Sequence, residues 1–79
     1  MTIKLVAFGI ARDILQQSQL DFDMEGSKIE DLKKGLVARF PEFEKLQSLK
    51  FAVNEDYQED GYELQPTDEV VIIPPVSGG

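Results

Sequence analysis

The last ten residues constrain this chain more than any other stretch. Val70-Val71-Ile72-Ile73 is a run of apolar, β-branched residues that predicts a strand buried on both faces. Two prolines should end that strand, because proline fixes φ and cannot donate to a sheet ladder. The residues that follow the strand are Pro74, Pro75, Val76, Ser77, Gly78 and Gly79. We expect them to form an extended, flexible C-terminal tail over residues 74–79 whose glycine end is narrow.

A buried strand that continues into a narrow tail predicts a carrier whose working end is the carboxylate of Gly79. A double glycine is also typical of a frayed chain end with no function, and that alternative stays open. The stiff Pro-Pro root directly after a core strand favours the carrier. The lack of other reactive groups favours it too.

The residue types that are missing limit the chemistry of this chain. Its 79 residues include no histidine and no cysteine. Without histidine, no side chain has an ordinary pKa near neutrality for general base work. Without cysteine, there is no thiol nucleophile, no disulfide and no cysteine-bound metal. We therefore expect one domain over residues 1–79 that is not an enzyme by itself and binds no cofactor. No signal peptide or transmembrane segment is recognisable, so the expected location is the cytoplasm.

The net charge of −7 lies entirely in the last third of the chain. Residues 1–50 hold eight acidic and eight basic residues, whereas residues 51–79 hold seven acidic residues and no base. Such a surface is a poor match for nucleic acid or an anionic membrane and a better match for a basic protein surface. A solvated acidic hairpin kept for solubility is an equal alternative.

Hydrophobic patterning predicts an α+β fold with a mixed sheet of four to five strands and one main helix on one face. Strands are predicted at residues 3–8, 20–23, 50–54, near residue 57, and at residues 70–73. A short helix is predicted at residues 10–17, with Ile10 and Ile14 on one face. The main helix should begin at a capping box of Ser27 and Glu30 and end before Pro41. Its apolar stripe consists of Ile29, Leu32, Leu36 and Phe40. Gly35 in that helix suggests a close approach to a strand.

The first and last strands are the most apolar, which predicts that they pair in parallel at the centre of the sheet. Parallel strands end at the same edge, so Phe8 should lie beside Ile73, where the tail leaves. Tyr57 could join them, with Arg12 and the acidic residues at the rim, in a docking surface at the root of the tail. The alternative is that Phe8 and Ile73 belong to the core.

These residues also match a known family. The sequence resembles, along its whole length, the small subunits of molybdopterin synthase, which are sulfur carriers with the ubiquitin-like β-grasp fold. The resemblance rests on residues 8–13 (FGIARD), Val53-Asn54 with Tyr57, residues 68–70 (DEV) and residues 74–79 (PPVSGG). Two departures concern local turns: Gln65-Pro66-Thr67 replaces a turn that often contains glycine, and Gly9 replaces a common alanine.

The resemblance implies a mechanism in which Gly79 is the reacting residue. The catalytic groups that act on it belong to partner proteins. An adenylyltransferase related to ubiquitin-activating enzymes would adenylate the Gly79 carboxylate with ATP and magnesium, and a sulfur donor enzyme would convert it to a thiocarboxylate. The tail would then enter the large synthase subunit, in a heterotetramer, and give sulfur to a cyclic pyranopterin precursor. By the same resemblance Phe8, Arg12, Tyr57 and Ile73 would bind that subunit.

Other functions fit parts of the same pattern. A carrier for thiamine-thiazole synthesis or transfer-RNA thiolation, or one that forms isopeptides, would share the double glycine. A β-grasp interaction module with an inert tail would share the fold. The zero cysteine count excludes a redox domain of the ferredoxin kind. A calcium site at Glu55, Asp56, Glu59 and Asp60 lacks the spacing of an EF-hand loop.

Overall fold

In a computed structural model that describes residues 1–46 and 49–74, the chain forms one five-stranded sheet covered by helices. The strands are β1 (Thr2–Ala7), β2 (Gln19–Asp23), β3 (Lys50–Val53), β4 (Asp56–Gln58) and β5 (Glu69–Ile73). The helices are α1 (Gly9–Leu15), α2 (Ile29–Arg39) and a 3-10 helix at Pro41–Lys45. All elements predicted from the sequence are present, with shifts of one or two residues at their ends. Within the same residues, no helix has the length and apolar character needed to cross a membrane.

The sheet order is β2-β1-β5-β3-β4, with β5 in the middle. The first and last strands pair in parallel, as predicted, through a register that runs from Lys4–Glu69 to Ala7–Ile72. The pairs β1–β2, β3–β4 and β3–β5 are antiparallel. Because β1 and β5 run in the same direction, the residue after Ala7 and the residue after Ile72 lie at the same end of the sheet. Those residues are Phe8 and Ile73.

One face of the sheet packs against α2, and the other face is only partly covered. The prediction that β5 is buried on both faces was wrong. Val70 and Ile72 are fully buried against the helix layer, whereas Val71 and Ile73 on the opposite face are half-buried. The sequence contains no alternation that reports this difference, because all four residues are apolar. Side chains that an isolated domain half exposes can be apolar when another protein covers them.

Helix α2 supplies the main apolar stripe of the core. Ile29, Leu32 and Leu36 are fully buried, as predicted, and Phe40 follows the helix as its partly buried cap. A Cβ atom on Gly35 would lie 3.3 Å from Cε2 of Phe22 on β2, which confirms the expected close approach to a strand. The predicted capping box was wrong by one residue. The carboxylate that caps the helix belongs to Asp31, whose Oδ2 accepts hydrogen bonds from the backbone N–H groups of Ser27 and Lys28 at 3.3 and 3.1 Å.

Helix α1 faces the core with different residues from those predicted. Ala11 and Leu15 are buried, whereas Ile14 is half-buried and Ile10 is exposed. Both pairs have the helical spacing of four residues, so the sequence alone does not decide between them. The helix begins directly after β1 through Gly9, whose φ of +56° is accessible to glycine but strained for alanine. This turn sets the orientation of α1 and leaves Ile10 in solvent.

A buried carboxylate joins two loops at the end of the sheet that is opposite the tail. Asp68 is 6% exposed, and its Oδ1 accepts a hydrogen bond from Nδ2 of Asn54 at 2.9 Å. Its Oδ2 accepts a bond from the N–H of Gln65 at 2.8 Å, and Oδ1 of Asn54 accepts one from the N–H of Glu69 at 3.2 Å. Asn54 has a positive φ of 49°, a conformation that asparagine tolerates better than most residues. Two of the motif residues behind the family resemblance therefore have a structural role.

We expect Asp68→Ala to lower the free energy of unfolding by about 1–3 kcal/mol, because it leaves two donors without their acceptor in a largely buried place. Urea unfolding followed by circular dichroism measures the loss. Asp21→Ala is the matched control, since Asp21 is exposed and should change stability by no more than about 0.5 kcal/mol. Equal losses in the two variants would contradict a role for the Asp68 hydrogen bonds.

Candidate functional site

The candidate site is the sheet face that lies opposite α2, together with the first residue of the tail. We call it the open face. Directly paired residues of neighbouring strands point to the same face of a sheet, so the register gives its composition. Its apolar members, in two adjacent rows, are Val6, Val71, Ala52 and Tyr57, and then Phe8 and Ile73.

The row nearest the tail consists of Phe8, Ile73 and Lys50. Phe8 follows β1 with extended dihedrals of −131° and 162°, so its side chain continues the alternation onto the open face, and it is 60% exposed. Ile73 is half-buried and pairs with Lys50 of β3. Pro74, also half-buried, comes next in the chain. The sequence prediction that Phe8 and Ile73 meet where the tail begins agrees with this register.

The second row crosses four strands. Val6 pairs with Val71, Val71 with Ala52, and Ala52 with Tyr57. Tyr57 is 68% exposed and lies on the edge strand β4, about 10 Å from β5 at a strand spacing of roughly 4.8 Å. It belongs to the open face, as predicted, but one row further from the tail than Ile73. An aromatic ring with this exposure beside a flat apolar row is the kind of residue that anchors protein interfaces.

Arg12 lies one helical turn after Phe8, at the end of the sheet where the tail begins. Its backbone N–H donates to the carbonyl oxygen of Phe8 at 3.4 Å, and its side chain is exposed. No carboxylate of the described residues forms an ion pair with it. Arg12 can therefore pair with an acidic group on another protein, in the position predicted from the sequence.

Sequence reasoning missed several members of this region, and three of them show why. Val71 lies two residues before Ile73, and a period of two along β5 would have placed both on the same face. Lys50 required the register between β3 and β5, which no local pattern gives. Ile10 is 48% exposed beside Phe8, although we expected it on the buried face of α1.

The charges on the open face are separated along the strands. Asp21, Lys4 and Glu69 form a row at the end far from the tail, where Lys4 and Glu69 make an ion pair of 4.0 Å. The apolar row lies between them and the tail. In the last row Lys50 is the charged residue. The face therefore has an acidic end and, at the root of the tail, a basic end.

The remaining predicted site residues are Pro75, Val76, Ser77, Gly78 and Gly79, and they lie outside the described residues. Among residues 1–46 and 49–74, no group of three acidic or metal-ligating side chains could hold a metal ion. Glu55, Asp56, Glu59 and Asp60 are thus not gathered around one point. The open face is mainly apolar next to the tail, so its geometry suits docking.

Comparison with known proteins gives agreement over nearly the whole chain. The profile of the ThiS family matches residues 5–79. A molybdopterin synthase sulfur carrier subunit from Arabidopsis thaliana is 38% identical over 79 residues, which cover 98% of this chain and 82% of that protein. The subunit of the same name from Chlamydomonas reinhardtii is 34% identical, with complete coverage of both chains.

The fold agrees with that of solved structures. SAMP1 from Haloferax volcanii superimposes with a TM-score of 0.80 at 20% identity and complete coverage of both chains. At this identity the similarity concerns the fold alone. Together with the element order and sheet topology, it confirms the predicted ubiquitin-like β-grasp architecture with a mixed sheet and one main helix.

Proposed function

Because the chain belongs to the ThiS family, we propose that it carries sulfur for the synthesis of the molybdenum cofactor, with the carboxylate of Gly79 as the sulfur-bearing group. The observation that carries this proposal is the extent of the match. The family profile runs to residue 79 and so includes the double glycine, and the relatives align over at least 98% of this chain. Those relatives are named as sulfur carrier subunits of molybdopterin synthase.

In the first step of this proposal the Gly79 carboxylate becomes an acyl adenylate. A carboxylate is a poor acyl donor because its oxygen is a poor leaving group. Attack of a carboxylate oxygen on the α-phosphorus of ATP, with loss of pyrophosphate, makes adenosine monophosphate the leaving group. ATP and magnesium belong to the adenylyltransferase. Glycine has no Cβ, so Gly78 and Gly79 present the least steric hindrance at the reacting carbonyl.

In the second step a donor enzyme delivers sulfur at the oxidation level of sulfide. This sulfur attacks the acyl carbon, the bond to adenosine monophosphate breaks, and a thiocarboxylate remains on Gly79. The sulfur of a thiocarboxylate is a soft nucleophile that is largely ionised at neutral pH, so it needs no histidine or cysteine on the carrier. The sequence has neither. The large synthase subunit then supplies the acceptor, a cyclic pyranopterin precursor, and the groups that position it. Two such transfers form the dithiolene.

The contribution of this chain to the transfer is docking and reach. The open face gives a partner a flat apolar surface at the root of the tail, with Phe8 and Tyr57 as its most exposed aromatic groups. Six residues from Pro74 to Gly79, at roughly 3.3 Å each, can extend about 20 Å from that face. Pro74 and Pro75 reduce the entropy that is lost when the tail is ordered in a channel. We place the carrier in the cytoplasm, in a heterotetramer with the large subunit.

The acceptor is the part of the proposal that needs its own test. The purified chain is first loaded with sulfur by an adenylyltransferase, ATP and a sulfur donor. One half is then mixed with the large subunit of molybdopterin synthase and its precursor, and the other half with a thiazole synthase and its substrates. Mass analysis of the products should show dithiolene formation in the first reaction and no thiazole in the second. Sulfur transfer only in the second would reassign the carrier to thiamine synthesis, and transfer in neither would favour transfer-RNA thiolation. A chain that cannot be loaded with sulfur at all would favour an inert tail.

We expect Phe8→Ala to weaken binding to the large subunit at least about tenfold, as loss of an interface aromatic does. The same change should lower the free energy of unfolding by less than about 1 kcal/mol, because the ring is largely exposed. Calorimetric titration and urea unfolding give the two values. Gln17→Ala, an exposed change shortly after α1, is the control and should alter neither. If stability falls as much as affinity, Phe8 belongs to the core rather than to the docking surface.

A further inference from the structure

Lys50 lies directly beside the residue from which the tail begins. It pairs with Ile73 in the β3–β5 register, so the two side chains share the open face with Cβ atoms about 5 Å apart. Phe8 lies on the other side of Ile73, and Arg12 follows it in the chain by four residues. The root of the tail therefore has a cation on each side of β5, Arg12 by the end of β1 and Lys50 at the start of β3.

Lys50 is exposed and has no carboxylate partner within 4 Å among the described residues. The nearby cation Lys33 differs in this respect, because its Nζ donates to Oδ1 of Asp60 at 2.6 Å. Lys33 and Lys50 line the same open cleft at the edge of the sheet together with Glu59 and Asp60. Asp60 is engaged by Lys33, and Glu59 forms no ion pair with Lys50 within 4 Å. On the open face, Lys4 is likewise paired with Glu69.

Insertion of the tail into another protein must bring that protein against Ile73 and Pro74. A partner surface that covers Ile73 also covers the aliphatic stem of Lys50 and removes water from its ammonium group. A desolvated ammonium without a counter-charge costs several kcal/mol, whereas a carboxylate opposite it offsets that cost. A carboxylate on the partner at this point would pair with the ammonium group, which has no carboxylate within 4 Å among the described residues.

On the basis of the function proposed above, we propose that Lys50 is a docking residue that pairs with a carboxylate of the large synthase subunit at the mouth of the channel that takes the tail. The ion pair between Lys50 and this carboxylate favours one orientation of the partner, because the opposite end of the open face is acidic at Asp21 and Glu69. A partner bound in the reverse orientation would bring its carboxylate against those acids. Lys50 thus selects the orientation in which the tail points into the channel.

The test compares two variants with the same change in net charge. Lys50→Glu reverses the charge on the open face, and Lys34→Glu reverses it on an exposed position of α2, on the other side of the sheet. Binding of the full chain to the large subunit is measured by stopped flow at several salt concentrations. Lys50→Glu should weaken binding at least about tenfold and reduce its salt dependence, whereas Lys34→Glu should stay within about threefold of the unchanged chain.

Two further variants separate a charge contact from a packing contact. Lys50→Arg should keep most of the affinity, and Lys50→Met, which keeps the stem but not the charge, should fall between the unchanged chain and Lys50→Glu. Equal effects of Lys50→Glu and Lys34→Glu would overturn the inference and leave the sulfur carrier intact, provided that the unchanged chain binds and transfers sulfur. If the unchanged chain does not bind the large subunit, the proposed function and this inference are both wrong.

Discussion

Deletion of Gly79 should abolish sulfur transfer without changing the stability of the domain. The shortened chain ends in a carboxylate on Gly78, which is about 3.5 Å short of the position that the full tail reaches. Because a misplacement of about 1 Å can cost about 10²-fold in rate, we expect the loss of transfer to be at least that large. Among the described residues the last fully buried one is Ile72, so the midpoint of thermal unfolding should not move. Product formation with the large subunit and a melting curve give the two results.

Ser77→Ala is the control for this deletion, since it alters the tail but keeps its length and its terminal carboxylate. It should transfer sulfur at close to the rate of the unchanged chain. Normal transfer by the chain that lacks Gly79 would contradict the carrier. Normal binding by that chain, combined with no transfer by any variant, would favour an interaction module whose tail is inert.

Leu32→Ala should lower the free energy of unfolding by about 2–5 kcal/mol, the usual loss when a buried leucine leaves a cavity. Leu32 is fully buried in the middle of the α2 stripe, between Ile29 and Leu36. Small domains have a total stability of about 5–15 kcal/mol, so this one change would remove a large part of it. Urea unfolding followed by circular dichroism is the measurement.

Lys34→Ala, on the exposed side of the same helix, is the matched control and should change the free energy of unfolding by no more than about 0.5 kcal/mol. A loss below about 1 kcal/mol for Leu32→Ala would mean that α2 packs on the sheet with another face. The comparison also separates the core from the open face. Phe8→Ala should impair partner binding with little effect on stability, and Leu32→Ala should do the reverse.

Much of the fold could be predicted because its strongest patterns are local. The stripe of α2, the alternation of β2 and the apolar run of β5 each depend on neighbouring residues. The parallel pairing of β1 with β5 followed from their apolar character. From this pairing we predicted that Phe8 lies beside Ile73, and both residues lie at the same end of the sheet in the structure. The glycine at position 35 also gave a correct contact, with Phe22.

Two of the errors arose where the sequence pattern fits two local solutions equally well. Asp31 rather than Glu30 caps α2, and Ala11 with Leu15 rather than Ile10 with Ile14 faces the core. A shift of one residue decides each case, and the packing of distant elements makes the choice. Lys50 and Asp68 show a different limit. Their roles depend on partners far away in the sequence, Ile73 for Lys50 and Asn54 for Asp68, and no short pattern contains that information.

The fold accounts for the division of labour in the proposed function. The core is built by one face of the sheet and α2, so the opposite face can remain apolar and available to another protein. Because β5 is the central strand, the tail leaves the end of the sheet midway between the two edge strands. Whatever binds around Phe8, Ile73 and Lys50 is thereby placed around the root of the tail. Docking and delivery of Gly79 are coupled by topology.

The central claim is that Gly79 carries sulfur, and the most direct test is the intact mass of the chain. The chain is incubated with ATP, magnesium, an adenylyltransferase of the molybdopterin pathway and a sulfur donor, and a second sample lacks only ATP. We predict a mass gain equal to the exchange of one oxygen for one sulfur, assigned to Gly79 by fragmentation, in the complete reaction alone. An unchanged mass, with an adenylyltransferase that is active on another carrier, would contradict the account.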